Sequence, residues 1–123
     1  MRFTLDSPPS ANLVTGVGPD GIRIGELLLT RSLIVSATEL LQDWPAREIE
    51  TLDLEILAPA LALDPEILLL GTGPRLRFPG SELYAALAAR GIGLEVMDTP
   101  AACRTFNILV HEERPVVAAL LLP

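Results

Sequence analysis

The side chains able to do chemistry are few, and most of them lie in the second half of the chain. Cys103 is the lone cysteine and His111 the lone histidine. A helix starting just before Cys103 would lower its pKa through the helix dipole, which favours a reactive thiolate, whereas burial would do the opposite. A nucleophilic thiol also needs a base. His111 stands further along the same helix, about 12 Å away at the usual helical rise, so the two form no dyad within one chain. The favoured reading of Cys103 is a small buried residue beside Phe106. One Cys and one His assemble neither an internal disulfide nor a typical zinc site. All nine basic residues are Arg, so Schiff-base chemistry on Lys and the Gly-Lys-Ser/Thr phosphate loop are excluded. No metal and no cofactor are assigned.

A second constellation concerns binding. If Ile67 to Met97 forms strand, helix and strand with a right-handed crossover, Gly71-Thr72-Gly73 and Asp98-Thr99 share the carboxyl edge of a sheet. Ligands of open α/β sheets favour that edge. The helix following Thr99 is expected to aim unsatisfied amides and its positive dipole end there, with Arg75 and Arg77 on the neighbouring loop, so a small anion or carboxylate suits the place. The candidate cleft comprises Gly71, Thr72, Gly73, Arg75, Asp98, Thr99, Cys103 and Asn107. Blander readings stand beside it. The glycines permit a tight turn, Thr99 caps its helix, Arg77 is solvated, and mid-helix Asn107 either ties to a neighbouring loop or points outward. A dinucleotide fingerprint fails, because Leu76 occupies the place of the third Gly and Phe78-Pro79-Gly80 delays the helix.

The elements that must hold these residues follow from pattern and punctuation. Residues 1–12, with Ser7-Pro8-Pro9-Ser10, read as a loosely attached lead-in to a single α/β domain over residues 13–123. Leu13 to Val17, Ile22 to Ile24 and Leu33 to Val35 read as short strands of an antiparallel meander, with a turn at Gly18-Pro19-Asp20-Gly21. Ala37 to Glu50 is ambiguous, with Trp44 as a core plug. From Thr51 onward Leu54, Leu57 and Leu61 recur at helical spacing, with Pro59 implying a helix that is short, kinked or already ending there.

The second half is clearer. Ile67 to Leu70 is a continuous apolar run, as expected of a central parallel strand. Ser81 to Arg90 follows as a helix stopped by Gly91 with Ile92 packing back on Leu87. Leu94 to Met97 is a strand. Thr99-Pro100 opens a helix with Thr99 as its cap, running to about His111, and Pro115 precedes a final strand from Val116 to Leu122. The predicted fold class is thus α/β, an antiparallel N-terminal meander followed by a β-α-β-α-β unit.

Composition agrees with this architecture. At 123 residues the chain matches one domain, able to bury roughly two-thirds of its unfolded surface. Only five residues are aromatic, so Leu, Ile, Val and Ala must build the core, which suits parallel strands covered by helices. The formal charge of −7 argues against a nucleic-acid surface. The first residues lack an apolar signal core, and the run from Val116 to Pro123 is too short to span a bilayer, so a cytoplasmic protein without membrane insertion is expected.

Several segments together resemble a known family: Leu68-Leu69-Leu70-Gly71-Thr72-Gly73, the stretch from Glu95 through Asp98-Thr99-Pro100-Ala101-Ala102-Cys103-Arg104-Thr105-Phe106-Asn107 to Leu109, then Glu113-Arg114 and Val117-Ala118-Ala119-Leu120. They are similar to the Mth-nine-three-eight-like family of small uncharacterised proteins, which also includes the mitochondrial assembly factor three of respiratory complex I. Gly71, Gly73, Asp98, Thr99, Cys103, Asn107 and Glu113 match its pattern. Glu112-Glu113-Arg114 departs from the Glu-Gly-Arg of many relatives, and a mitochondrial targeting sequence ahead of the domain is not expected. The resemblance implies a three-layer domain with a mixed central sheet and no settled activity. It points to a non-catalytic, protein-binding, assembly-factor-like role with partners unspecified. A homo-oligomer is a further expectation to test. The alternative is a small-molecule or anion-binding protein, or an enzyme, using the carboxyl-edge cleft.

Overall fold

A computed structural model describes residues 11–122. Its framework is a five-stranded mixed sheet whose strands alternate apolar side chains between two covered faces. In chain order the elements are β1 (Val14–Gly18), β2 (Gly21–Ile24), β3 (Leu27–Leu29), β4 (Leu33–Ser36), β5 (Leu40–Leu41), α1 (Leu54–Leu61), β6 (Ile67–Gly71), α2 (Ser81–Ala89), β7 (Gly93–Met97), α3 (Thr99–His111) and β8 (Val116–Leu120), with a short 3-10 turn at Ile49–Thr51 before α1. The large sheet has the order β5-β4-β8-β6-β7, and β1-β2-β3 form a separate three-stranded sheet. Strand β6 runs parallel to both β7 and β8, whereas β4 runs antiparallel to β8 and β5. The fold is α/β with a mixed central sheet, as the sequence predicts.

Period-two alternation explains the two cores. Leu33, Val35, Leu69, Ala118 and Leu120 face α3 and the small sheet, where they meet Ala102, Cys103, Phe106, Val110, Ile22 and Ile24. Their sequence neighbours Ile34, Leu68, Leu70, Val117 and Ala119 face the opposite side, against Leu57 of α1, Leu83 and Leu87 of α2, and Trp44. Burial on both faces is why these strands read as continuous apolar runs. Each fully buried Leu, Ile or Phe contributes on the order of 2 kcal/mol of apolar transfer free energy, and Phe106 and Leu69 are completely buried.

The helix ends follow local chemistry. Asp53 caps α1 by accepting from the Ile56 amide at 2.9 Å, and the helix ends two residues after Pro59. Gly91, at φ +75°, closes α2. The Ile92 amide donates to the Leu87 carbonyl at 3.1 Å and the Gly91 amide to that of Ala88 at 3.0 Å, the paired bonds of a Schellman stop. Trp44 fills the core as expected, and its indole N–H donates to the Ile56 carbonyl at 2.8 Å.

Four expectations change. Leu27–Leu29 forms a third strand of the meander, and β4 leaves the meander to join the large sheet between β5 and β8. The final strand closes at Leu120 rather than Leu122. Asp98, not Thr99, is the N-cap of α3, its side chain accepting from the Ala101 amide at 2.8 Å. The lead-in lies outside the described residues except for Ala11 and Asn12. Asn12 is firmly tied, its amide donating to Ala37 O at 2.8 Å and its side chain to Ser36 O at 3.0 Å.

Candidate functional site

The carboxyl edge is built around one buried hydroxyl. Strands β6 and β7 end side by side, with Gly71 opposite Met97, and the Thr72 amide extends the pairing to Met97 O at 2.9 Å. Thr99 then folds over the turn. Its amide donates to Gly73 O at 2.8 Å, its Oγ1 accepts from the Gly73 amide at 2.8 Å, and the same hydroxyl donates to Leu121 O at 2.9 Å. The Leu121 amide in turn donates to Gly71 O at 2.9 Å. Three segments distant in sequence are locked to each other.

This closeness accounts for Gly71. A Cβ there would lie 2.9 Å from Thr99 Oγ1 and 2.9 Å from Leu120 Cδ2, so any side chain forces the segments apart. Gly73 has the other reason, a φ of +97° that side-chain-bearing residues rarely adopt.

Beside this lock lies a cavity of about 420 Å³, walled by the β1–β2 turn from Val17 to Gly21, Thr30, Gly73-Pro74, Thr99-Pro100 and Leu121-Leu122. Val17, the three prolines and the two leucines make the walls largely apolar, and Asp20 is the sole charged lining residue. A more polar cleft of about 710 Å³ adjoins it across Thr30 and Leu122, with Arg31, Asp43 and Arg47 on its walls.

Of the sequence-predicted cleft residues, Gly73 and Thr99 reach the cavity wall. Gly71 and Thr72 support it from behind. The buried Thr72 hydroxyl donates to Arg75 O at 2.6 Å and accepts from the Arg77 amide at 3.2 Å. Neither Arg75 nor Arg77 lines the cavity, and the Arg77 guanidinium is paired with Glu50.

Asp98 is spent on its helix. The amide donors at that end are also taken: the Thr99 amide serves Gly73 O, the Ala101 amide serves Asp98 Oδ1 and the Ala102 amide serves Asp98 O, while Pro100 has no N–H. An anion therefore finds no free amide at the start of α3, contrary to the expectation of unsatisfied donors there.

Cys103 and Asn107 stand apart from the cavity. Cys103 packs in the core beneath α3 at 2% exposure, and burial pushes its thiol up to about 11, against a smaller opposing pull from Arg104. Thiolate is scarce near neutrality at such a value, and burial sets Cys103 against a nucleophilic role. Asn107 reaches β1, where its Oδ1 accepts from the Val14 amide at 2.9 Å and its Nδ2 donates to Val14 O at 2.8 Å. That resolves its two sequence readings in favour of the tie.

Sequence reasoning missed the Val17–Gly21 turn, Thr30 and Leu121-Leu122 as cavity walls. The turn itself was legible, but nothing local told that it lies over Pro74 and Pro100. Among the described residues, no group of three or more His, Cys, Asp or Glu side chains is placed to hold a metal ion, and no helix is long and apolar enough to cross a membrane.

Residues 14–121 match the family described as "Protein of unknown function (DUF498/DUF598)". The chain belongs to that family. Its fold is shared with the crystal structure of a protein from Bordetella parapertussis, 36% identical, with a TM-score of 0.86 over 94% of this chain and 100% of that one. A solution structure from Bordetella pertussis described as a Mth938-like domain is 30% identical, with a TM-score of 0.80 over 98% of this chain and 92% of that one. The resemblance read from the sequence is thereby established. Among curated proteins, the chain is 34% identical over 116 residues to the zebrafish (Danio rerio) NADH dehydrogenase [ubiquinone] 1 alpha subcomplex assembly factor 3, covering 93% of this chain and 66% of that protein. The chain thus spans slightly less than two-thirds of that relative's length.

Proposed function

We propose that this domain is a non-catalytic, protein-binding, assembly-factor-like component of a cytoplasmic compartment. The observation that carries the reading is the extent of the similarity to a complex I assembly factor, which runs through 93% of the chain and so is not confined to one motif. The chemistry of the carboxyl edge supports it. The hydroxyl of Thr99 and the side chain of Asp98 are committed to holding the fold and the thiol of Cys103 is buried, so among the described residues of this edge none of the three is an activated nucleophile with a base beside it.

Affinity purification of the full chain from its native host, under conditions that preserve weak complexes, tests the proposal. Reproducible recovery of a protein partner, with respiratory complex subunits scored separately from others, is the expected result. Repeated recovery of none overturns it. Sedimentation of the purified chain over the same concentrations separates such a partner from a homo-oligomer.

A second reading rests on the cavity. Its volume of about 420 Å³ falls within the range of small-molecule sites, and its apolar walls with Asp20 at the rim favour a neutral or cationic compound over an anion. Backbone-amide correlation NMR of the protein, titrated with a panel of neutral aromatic fragments and with inorganic phosphate, distinguishes the two. Fragment binding that shifts the Val17, Gly73 and Leu121 amides supports the reading, and an unresponsive cavity removes it.

A further inference from the structure

The loop following Gly73 displays apolar side chains that the fold could have hidden. Pro74 to Phe78 are all exposed, yet the loop is braced at both ends: Thr72, 6% exposed, bonds the Arg75 carbonyl and the Arg77 amide, and Pro79 is buried. The Arg77–Glu50 pair ties its middle to the segment before α1. On this braced loop Leu76 is 51% exposed and Phe78 is 61% exposed.

A single exposed Leu is unremarkable on a protein surface, but two large apolar side chains in alternate positions of a fixed loop form a preorganised knob. Leaving both in water forgoes the apolar transfer free energy that covering them would release. Charge identifies the kind of surface that would cover them. Gly71 to Gly80 contains two Arg and no acidic residue, in a chain whose net charge is −7. Glu50 offsets Arg77, while Arg75 has no acidic partner among the described residues.

We infer that Leu76 and Phe78 are the docking knob for a protein partner whose surface offers an apolar socket rimmed by carboxylates, one of which pairs with Arg75. Arg and aromatic residues flanking one another are the usual composition of interface hot spots. An anionic bilayer is a poorer fit, because the chain's overall negative charge is repelled and only two side chains could insert. The inference rests on the protein-binding reading and names its surface.

The test uses the full chain carrying a benzophenone photo-cross-linker at position 76, expressed in the native host, alongside affinity capture by two exposed-site variants. The expected result is a cross-linked partner peptide containing Asp or Glu beside apolar residues. Capture of that partner should fall by roughly tenfold or more in Phe78→Ser, fall with added salt in the wild type, and persist in Ile108→Ser, which alters an exposed apolar residue on α3. Unchanged melting temperatures of the variants exclude misfolding as the cause. Equal capture by Phe78→Ser overturns the knob while leaving the protein-binding reading intact, and absence of any captured partner overturns both. Loop-dependent binding to phosphatidylcholine–phosphatidylglycerol vesicles, without a protein cross-link, overturns the inference in favour of a bilayer.

Discussion

Asn107 pairs with Val14 as a neighbouring strand would. Its carboxamide accepts from the Val14 N–H at 2.9 Å and donates to the Val14 C=O at 2.8 Å, so a helix side chain satisfies both backbone groups at the start of β1. This fixes the small sheet against α3 through one residue. An Asn in mid-helix is intrinsically unfavourable, and its cost is offset here by two bonds that only a side chain with both a donor and an acceptor can make.

Replacing that carboxamide should be costly. Asn107→Ala is expected to destabilise the fold by about 1–3 kcal/mol, since two backbone groups lose their partners. Asn107→Asp keeps the acceptor but sets a carboxylate against the Val14 carbonyl. Protonation converts that carboxylate into a donor, so the destabilisation should shrink as the pH falls through the carboxylate range near ~4. Urea unfolding of both variants at pH 7 and pH 3.5 measures this. A pH-independent penalty for Asn107→Asp would contradict the bonding pattern.

Thr99 gives a second contrast. Thr99→Val preserves shape but removes the hydroxyl shared by Gly73 N–H and Leu121 O, leaving a buried donor and a buried acceptor unmet, at about 1–3 kcal/mol each. Thr99→Ser should lose far less. Equal stabilities of the two variants in chemical denaturation would show that the hydroxyl does not lock the segments.

Gly71→Ala should be destabilising by about 1–3 kcal/mol, the range for overpacking a tight core, because the added Cβ would stand 2.9 Å from both Thr99 Oγ1 and Leu120 Cδ2. Its melting temperature, compared with that of Gly80→Ala, decides the matter. The nearest contact of a Cβ at Gly80 is at 3.9 Å, to the end of the Glu82 side chain, so that variant should be close to neutral.

The buried thiol makes an alkaline prediction. Cys103 in the folded protein ionises only near about 11, against an ordinary value of 9.0. Between those values the unfolded chain has released its proton and the folded one has not, so unfolding gains free energy as pH rises. Wild-type stability should therefore fall from about pH 9 to 11 more steeply than that of Cys103→Ala. In parallel, a thiol reagent such as dithionitrobenzoate should react with native protein at least about a hundredfold more slowly than with urea-unfolded protein. Rapid native labelling would contradict the burial.

What was legible in the sequence was what local rules govern. Ile67 to Leu70 announced a doubly covered strand because both of its faces are buried, and Gly91 with Ile92 announced the end of α2 because only an αL residue makes that stop. The crossover logic correctly brought Gly71-Thr72-Gly73 and Asp98-Thr99 together. It misassigned the cap because Asp and Thr both accept amide bonds, and adjacent residues compete for one role. Leu27–Leu29 escaped notice because three leucines carry no period. The cavity was the least legible feature, since its walls come from five separated segments and Val17, Pro19 and Pro74 meet only through tertiary packing. The expectation of unsatisfied amides changed on accounting: the Thr99, Ala101 and Ala102 amides at the start of α3 already have partners inside the chain.

The Thr99 hydroxyl also has a bearing on motion. Because one O–H serves as acceptor for the 71–73 turn and donor to Leu121 just after β8, a shift of the start of α3 disturbs both contacts together. The cavity wall should consequently exchange its Gly73 and Leu121 amide hydrogens with solvent as one cooperative unit, at the slow rate of the sheet interior. Whatever docks at this edge meets a surface already in shape, and its association rate reports encounter and orientation rather than a wait for the wall to order.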